Sequence, residues 1–195
     1  MSAPRTIDDP DQNLIDRARD GDLAAFDDLV RKYSQRLYSH VYHMTSNRED
    51  AYDLLQDIFA KAYRSLRKFQ GKSTFYTWIY SIATNMTINH LKKKKRKAAM
   101  SLDDIDNGIA NDVVFTDTSA TANPRRGTTI KEIQKKLNEA MQLLSEDHRT
   151  VVALFDIEGL PHAEIAQILN ISPGTVRSRL HYAHKHLQSL LADYL

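Results

Sequence analysis

Residues 159–191 read GLPHAEIAQILNISPGTVRSRLHYAHKHLQSLL, and their spacing predicts two short helices joined by a tight turn. Ile165, Ala166 and Leu169 form the inner face of the first helix, and the small Ala166 lets the second come close. Asn170 falls where the turn needs a residue tolerant of positive φ. Ser172 is placed to cap the second helix and Pro173 suits its first turn. Val176, Leu180, Ala183, Leu187 and Leu191 then recur as one apolar stripe. Away from that stripe the helix carries Thr175, Arg177, Ser178, Arg179, His181, Tyr182 and Lys185. This is the pattern of a helix-turn-helix, whose second helix enters the DNA major groove with its N-terminal residues toward base edges. An Arg there can bridge guanine O6 and N7. A plain amphipathic surface helix would also carry a charged face, but it would need neither the Asn turn nor the Ser-Pro start.

The wider composition is consistent with a helical, intracellular protein. The chain has 195 residues, enough for one large or two small domains, and a net charge of only +2. The charge is unevenly placed. Lys92 to Lys97 is an unbroken basic run, whereas Ser101 to Asn123 holds five Asp and no Lys or Arg. There is no Cys, which removes disulfides and thiolate metal sites and fits a reducing cytoplasm. The N-terminal MSAPRTIDDPDQ lacks the apolar core of a secretory signal. No apolar run reaches transmembrane length, so membrane insertion is not expected. Gly and Pro are sparse and helical periodicity dominates, which gives an all-α fold.

The periodicity divides into two small helical domains joined by a flexible acidic linker, at 1–99, 100–127 and 128–195. In the first, a short helix ends near Gly21. A second carries Phe26, Leu29, Val30, Tyr33, Leu37, Val41 and Tyr42 inward, and Ser46 and Asn47 stop it and cap the next. A third buries a seam of Leu54, Leu55, Ile58, Phe59, Ala62, Tyr63 and Leu66. Gly71 marks a break, and a fourth helix starts near Ser73 and runs through Trp78, Ile79 and Ile82 into the basic run. The last domain holds four helices and ends in the helix-turn-helix. The linker lacks periodicity and, extended, is long enough that the two domains need not touch.

The segment FQGKSTFYTWIYSIATNMTINHLKKKKRK, residues 69–97, is unusual for a simple bundle. Phe69, Phe75, Tyr76, Trp78 and Tyr80 crowd a loop and the helix after it. Gln70, Gly71, Lys72, Ser73 and Thr74 make up the loop itself. Asn85 and Asn89 share a helix face, and Lys92 and Lys93 follow. Aromatic rings beside amide and cationic groups suit single-stranded nucleic acid, where bases stack for about 1–3 kcal/mol each and cations hold phosphates. Trp78, Ile79 and Ile82 read as core.

Taken in order, these segments resemble those of the extracytoplasmic-function (ECF) sigma factors, the minimal two-domain class of bacterial transcription initiation factor. DAYDLLQDIFAKAYRSL resembles the family's polymerase-docking helix. Residues 69–97 resemble its promoter-melting loop and helix, and LSEDHRTVVALFDIEGLPHAEIAQILNISPGTVRSRL resembles its C-terminal domain. The resemblance implies that Asp53, Leu54, Gln56, Asp57 and Phe59 dock on core RNA polymerase. It implies that Phe69 to Tyr76, Asn85, Asn89, Lys92 and Lys93 act on the single-stranded −10 element. It implies that Ser172, Thr175, Arg177, Ser178, Arg179, His181, Tyr182 and Lys185 face the duplex −35 element. An anti-sigma protein is a further partner that such factors commonly have, and no cofactor or metal is implied.

Two positions depart from the family pattern. The last helix reads HYAHKHLQ where Arg is usual, and an unperturbed imidazole is mostly neutral at pH 7; the phosphate grip there should be weaker and pH-sensitive. Pro161 stands where a small hydroxyl usually caps the first helix of the motif. Two other classes remain open to test. A regulator that binds duplex DNA without docking on polymerase would share the helix-turn-helix but leave the aromatic loop unused. An enzyme would need more than His40 with His43, or His181 with His184, since neither pair has a carboxylate at a supporting spacing and no phosphate loop or nucleophile motif is present.

Overall fold

In the computed structural model, which describes residues 9–105 and 130–192, eight α-helices follow one another. They are α1 (Gln12–Arg19), α2 (Leu23–Thr45), α3 (Arg48–Ser65), α4 (Phe75–Ile105), α5 (Ile130–Leu143), α6 (Glu146–Val152), α7 (His162–Leu169) and α8 (Pro173–Leu190). A 3-10 turn at Leu66–Lys68 follows α3, and a π turn at Ala153–Ile157 follows α6. No strand occurs among the described residues.

Local chemistry sets the boundaries. Gly21 takes φ 101°, and Asp22 then caps α2 by accepting the N–H groups of Ala24 and Ala25. Arg17 donates to the same carboxylate at 2.6 Å, and this hydrogen bond is the main cause that holds the Asp22 carboxyl below its usual range. Ser46 ends α2 in the left-handed region at φ 52°, and Asn47 caps α3 by accepting from Asp50 N at 3.0 Å. Both roles follow the sequence expectation. Asn170 (φ 53°) and Ser172, which accepts from Thr175 N at 3.0 Å, do the same between α7 and α8.

The core of the first unit joins Leu29, Leu37, Val41 and Met44 of α2 to Ala51, Ile58 and Ala62 of α3 and Phe75, Ile79, Tyr80 and Ala83 of α4. Val30, Tyr42 and Leu55 are only partly buried, and Tyr63 lies on the surface, edge-on to Phe26. Helix α4 leaves the body beyond Leu91. Residues 92–100 are exposed, yet the helix continues to Ile105, six residues past the expected end of the domain at 99. Lys, Arg and Ala are strong helix formers that need no packing to continue a helix, and Lys94 is tied back to Asp50 at 2.7 Å. The remainder of the expected linker, 106–127, lies outside the described residues.

The two units share one apolar cluster and pack together, where the sequence left them free to be apart. Helix α7 lies on α4, and the π turn lies on α2. Arg149 of α6 closes another side of the joint. Its Nη1 donates to Met44 O at 2.8 Å, while Nε and Nη2 donate to Met141 O and Gln142 O at 2.9 and 2.8 Å. His43 Nδ1 and Asn138 Oδ1 meet at 2.8 Å nearby. The side of α4 that carries Tyr76, Thr77 and Tyr80 is thereby covered by the second unit, a pairing that periodicity within either unit does not encode.

Candidate polymerase and nucleic-acid interfaces

Helix α3 divides the five residues expected to dock into an exposed and a buried set. Asp53, Gln56 and Asp57 are exposed along its outer side, whereas Leu54 and Phe59 are buried at 6% and 8% exposure. Leu54 and Phe59 therefore hold the helix against the bundle. Beside the acidic patch stands Tyr52, 57% exposed, with its ring 4.7 Å from that of Tyr38. The sequence reading did not single it out, although its position off the apolar seam marks it as exposed.

The loop between α3 and α4 is built on a buried aromatic knot. Phe69 and Phe75 are 4% and 0% exposed, and both pack on Trp78, at 5.1 and 5.5 Å between ring centroids. Their faces are thus engaged with each other and with the core, and the expectation that these two rings stack on bases does not match their placement. The physical reason is that a loop this rich in polar groups needs an apolar anchor at each end. Gln70 and Lys72 are exposed between the anchors, with Ser73 and Thr74 half-buried, and Gly71 turns the chain at φ 64°. Thr74 Oγ1 accepts from Thr77 N at 3.2 Å at the start of α4. Asp9 Oδ2 accepts from Phe75 N at 2.5 Å, a contact from 66 positions upstream with no signal in the sequence.

Further along α4, Asn85 and Asn89 are both exposed, one turn apart. Asn85 Nδ2 donates to Ser81 O at 2.8 Å, which orients the amide on the helix surface. Lys92 and Lys93 continue the exposed surface. Tyr76 is turned elsewhere: its hydroxyl accepts from Arg36 Nη2 at 2.9 Å and lies 3.4 Å from the Glu158 carboxylate. Burial pushes the hydroxyls of Tyr76 and Tyr80 up from the ordinary tyrosine value.

On α8, Arg177, Ser178, His181, Tyr182 and Lys185 are exposed, Tyr182 by 58%. Ser172 and Thr175 are joined at the helix start, their hydroxyl oxygens 2.9 Å apart. Arg179 departs from the expectation: its Nη2 pairs with Asp147 Oδ2 of α6 at 2.5 Å. Two residues on from Arg177 is about 200° around a helix, so the two guanidinium groups stand at opposite edges of the polar face. Pro161 precedes α7 and supplies no capping side-chain hydrogen bond, as expected.

The histidine pairs are divided by the fold. His40 is fully buried with Nε2 3.0 Å from Thr84 Oγ1, so it is a core residue and not a surface one. His184 Nε2 meets Asp156 Oδ2 at 2.8 Å, a carboxylate 28 positions away that local spacing could not reveal. Among the described residues no three His, Asp or Glu side chains gather as a metal site, and no helix is long and apolar enough to cross a membrane.

Comparison with known proteins places the chain in a family. The chain matches Sigma-70 region 2 over residues 29–97 and Sigma-70, region 4 over residues 134–187. It is 35% identical to the RNA polymerase sigma-H factor of Pseudomonas aeruginosa over 95% of both chains. It is 34% identical to the ECF RNA polymerase sigma-E factor of Haemophilus influenzae, over 92% of this chain and 94% of that one. Its fold resembles that of the sigma factor RpoE of Bartonella quintana, solved in complex with the anti-sigma factor NepR, with a TM-score of 0.60 at 24% identity over 85% and 97% of the two chains. A regulator acting apart from polymerase would have no use for the region 2 match, which covers α3, the aromatic loop and most of α4. The chain belongs to the ECF sigma factors, and it is a transcription initiation factor that binds core RNA polymerase and directs it to specific promoters.

Proposed function

We propose a division of labour among three surfaces. Asp53, Gln56 and Asp57 contact a basic element of core polymerase, with Tyr52 beside them, while Leu54 and Phe59 fix the helix that carries them. Gln70, Lys72, Ser73 and Thr74 hold an unstacked base of the −10 element. Gly71 shapes that loop, and Phe69 and Phe75 anchor it. Asn85 and Asn89 read the same strand, and Lys92 and Lys93 hold its phosphates. Arg177, with Thr175, Ser178, His181, Tyr182 and Lys185, enters the −35 major groove.

The observation that carries this reading is the exposure of Arg177, Ser178 and His181 at the N-terminal half of α8, directly after a capped turn. Recognition helices present this part of themselves to base edges. The modules of residues 1–99 and 128–195 enclose the two family matches. The polymerase supplies all nucleotide chemistry, so this chain catalyses nothing, and its work lies in the cytoplasm with polymerase and chromosome. An anti-sigma protein is a partner of the kind that the Bartonella structure contains. The test is initiation by core polymerase and this protein on linear fragments. Scrambling either element should remove the start site, and initiation that survives both changes contradicts the assignment.

A further inference from the structure

The cations from Lys92 to Lys97 read as one uniform run, but the fold sets one of them apart. Lys94 Nζ donates to Asp50 Oδ2 at 2.7 Å, and His90 Nε2, one turn back on α4, lies 3.4 Å from the same oxygen. The Lys94 hydrogen bond is the main cause that holds the Asp50 carboxyl below its usual range. Lys92, Lys93, Lys95, Arg96 and Lys97 are exposed, and among the described residues none of these has a hydrogen bond or ion pair within the chain. Asp50 sits on α3, three residues before Asp53. The contact therefore joins the helix proposed to dock on polymerase to the helix proposed to read the −10 strand.

The period of the helix fixes which side of α4 this contact holds. Each residue turns the helix by about 100°. Asn85, Asn89, Lys92 and Arg96 then fall within about 60° of one another, whereas Lys94 stands about 200° from both Lys92 and Arg96. Lys94 and His90 form the back of the helix, turned to α3, and the other four form a row on its outside. Beyond Leu91 no residue up to Met100 is buried, so apolar packing does not fix the rotation or direction of this stretch. The Asp50 carboxylate does.

We propose that Asp50 is a positioning residue for promoter melting. It pins the back of α4 to α3, so that Asn85, Asn89, Lys92 and Arg96 stay aligned along the melted strand, and Arg96 adds a phosphate contact one turn past Lys92. The strand contact rests on the −10 reading given above; the pin rests on the Asp50 contacts alone.

The test titrates core polymerase carrying the full chain with single-stranded oligonucleotides randomised at their centre, and counts the bound sequences over a salt series. Asp50→Asn should weaken binding about two- to fivefold, the range of an exposed ion pair, and relax the preference at the enriched bases. Lys94→Gln should do the same, and the double substitution should be no weaker than either alone, because both remove one interaction. Arg96→Gln should instead weaken every sequence equally and lower the slope of log K against log salt by about 0.7. Asp50 also lies in the first turn of α3, where negative charge is favourable. Should Asp50→Asn fail to fold, Lys94→Gln leaves α3 untouched and must show the loss by itself, and Asp50→Glu should restore binding. Tighter binding by Asp50→Asn would mean that the carboxylate only competes with phosphate for Lys94, and would overturn the positioning role, as would unchanged affinity and preference. An unaltered salt slope in Arg96→Gln would remove Arg96 from the row. If Asn85→Ala with Asn89→Ala leaves the enriched sequence unaltered while the Asp50 and Lys94 variants weaken binding together, base reading by the two asparagines fails and the pin stands.

Discussion

The carboxylate of Asp9 accepts the backbone N–H of Phe75 at 2.5 Å and so ties the first described residue of the chain to the first turn of α4. Its other oxygen accepts from Asp11 N at 2.8 Å. Asp11 in turn takes Lys32 Nζ and the Tyr33 hydroxyl from α2. The N-terminal segment thus acts as a brace for the loop proposed to hold the −10 base. Asp9→Ala should cost about 1 kcal/mol, as for loss of a helix cap. It should also speed hydrogen exchange at Phe75 and Tyr76 more than elsewhere, and uniform exchange changes would remove this local role.

Trp78 closes the aromatic knot against Phe69 and Phe75. Trp78→Ala should destabilise the protein by about 3 kcal/mol, the low end for truncating a core ring because Trp78 is half-buried. Chemical denaturation measures this directly, and an unchanged midpoint would contradict its packing role.

Burial of His40, with the nearby His43, drives its imidazole down to about 3 from the ordinary 6.5. Its neighbours are the Tyr80 ring at 5.3 Å and Thr84, and Nδ1 has no protein partner. The folded pKa is depressed, so the unfolded chain binds the extra proton. The stabilising contribution is complete above about pH 6.5 and is lost as pH falls toward 3, by about 1.4 kcal/mol per pH unit. Glu158, raised by burial, works with the opposite sign. The difference between the native protein and His40→Gln isolates the histidine: its urea midpoint should fall less between pH 7 and 5. Parallel curves would sink the account.

Asp57→Arg should reverse the charge of the α3 patch without touching the core, since Asp57 is exposed. The melting temperature should stay within a degree or two, while core polymerase binding falls at least tenfold. Normal assembly in a competition assay would remove Asp57 from the docking surface.

Arg177 and Arg179 are separated by the fold, and their substitutions should behave differently. Arg177→Ala should cost about 1–3 kcal/mol at one upstream base pair and relax specificity there. Arg179→Ala breaks the pair with Asp147 and should cost at most about 1 kcal/mol of stability, with no change in base preference. A base-specific loss from Arg179→Ala would mean that this side chain leaves Asp147 on DNA.

Helix boundaries were legible because their determinants are local. Ser46, Asn47, Asn170 and Ser172 act within four residues of themselves. The exposed side of α3 was legible for a similar reason: the apolar seam leaves Asp53, Gln56 and Asp57 outside it. Contacts between distant segments were not. Nothing within the spacing of α4 tells that Tyr76 and Tyr80 face Glu158, or that Asp9 reaches Phe75. Aromatic content alone could not distinguish an anchor from a stacking platform, which is why Phe69 and Phe75 read as rings suited to stacking on bases. The pair of Arg179 with Asp147 was not legible either, because Asp147 lies on another helix, 32 positions upstream.

The most direct test of the central claim is to mix the purified protein with sigma-free bacterial core RNA polymerase, isolate the complex, and assay it on a library of promoter fragments. The account predicts co-elution and start-site-specific transcripts that share one upstream and one downstream element. Tight binding of duplex DNA by the protein alone, without co-elution or transcripts, would contradict it.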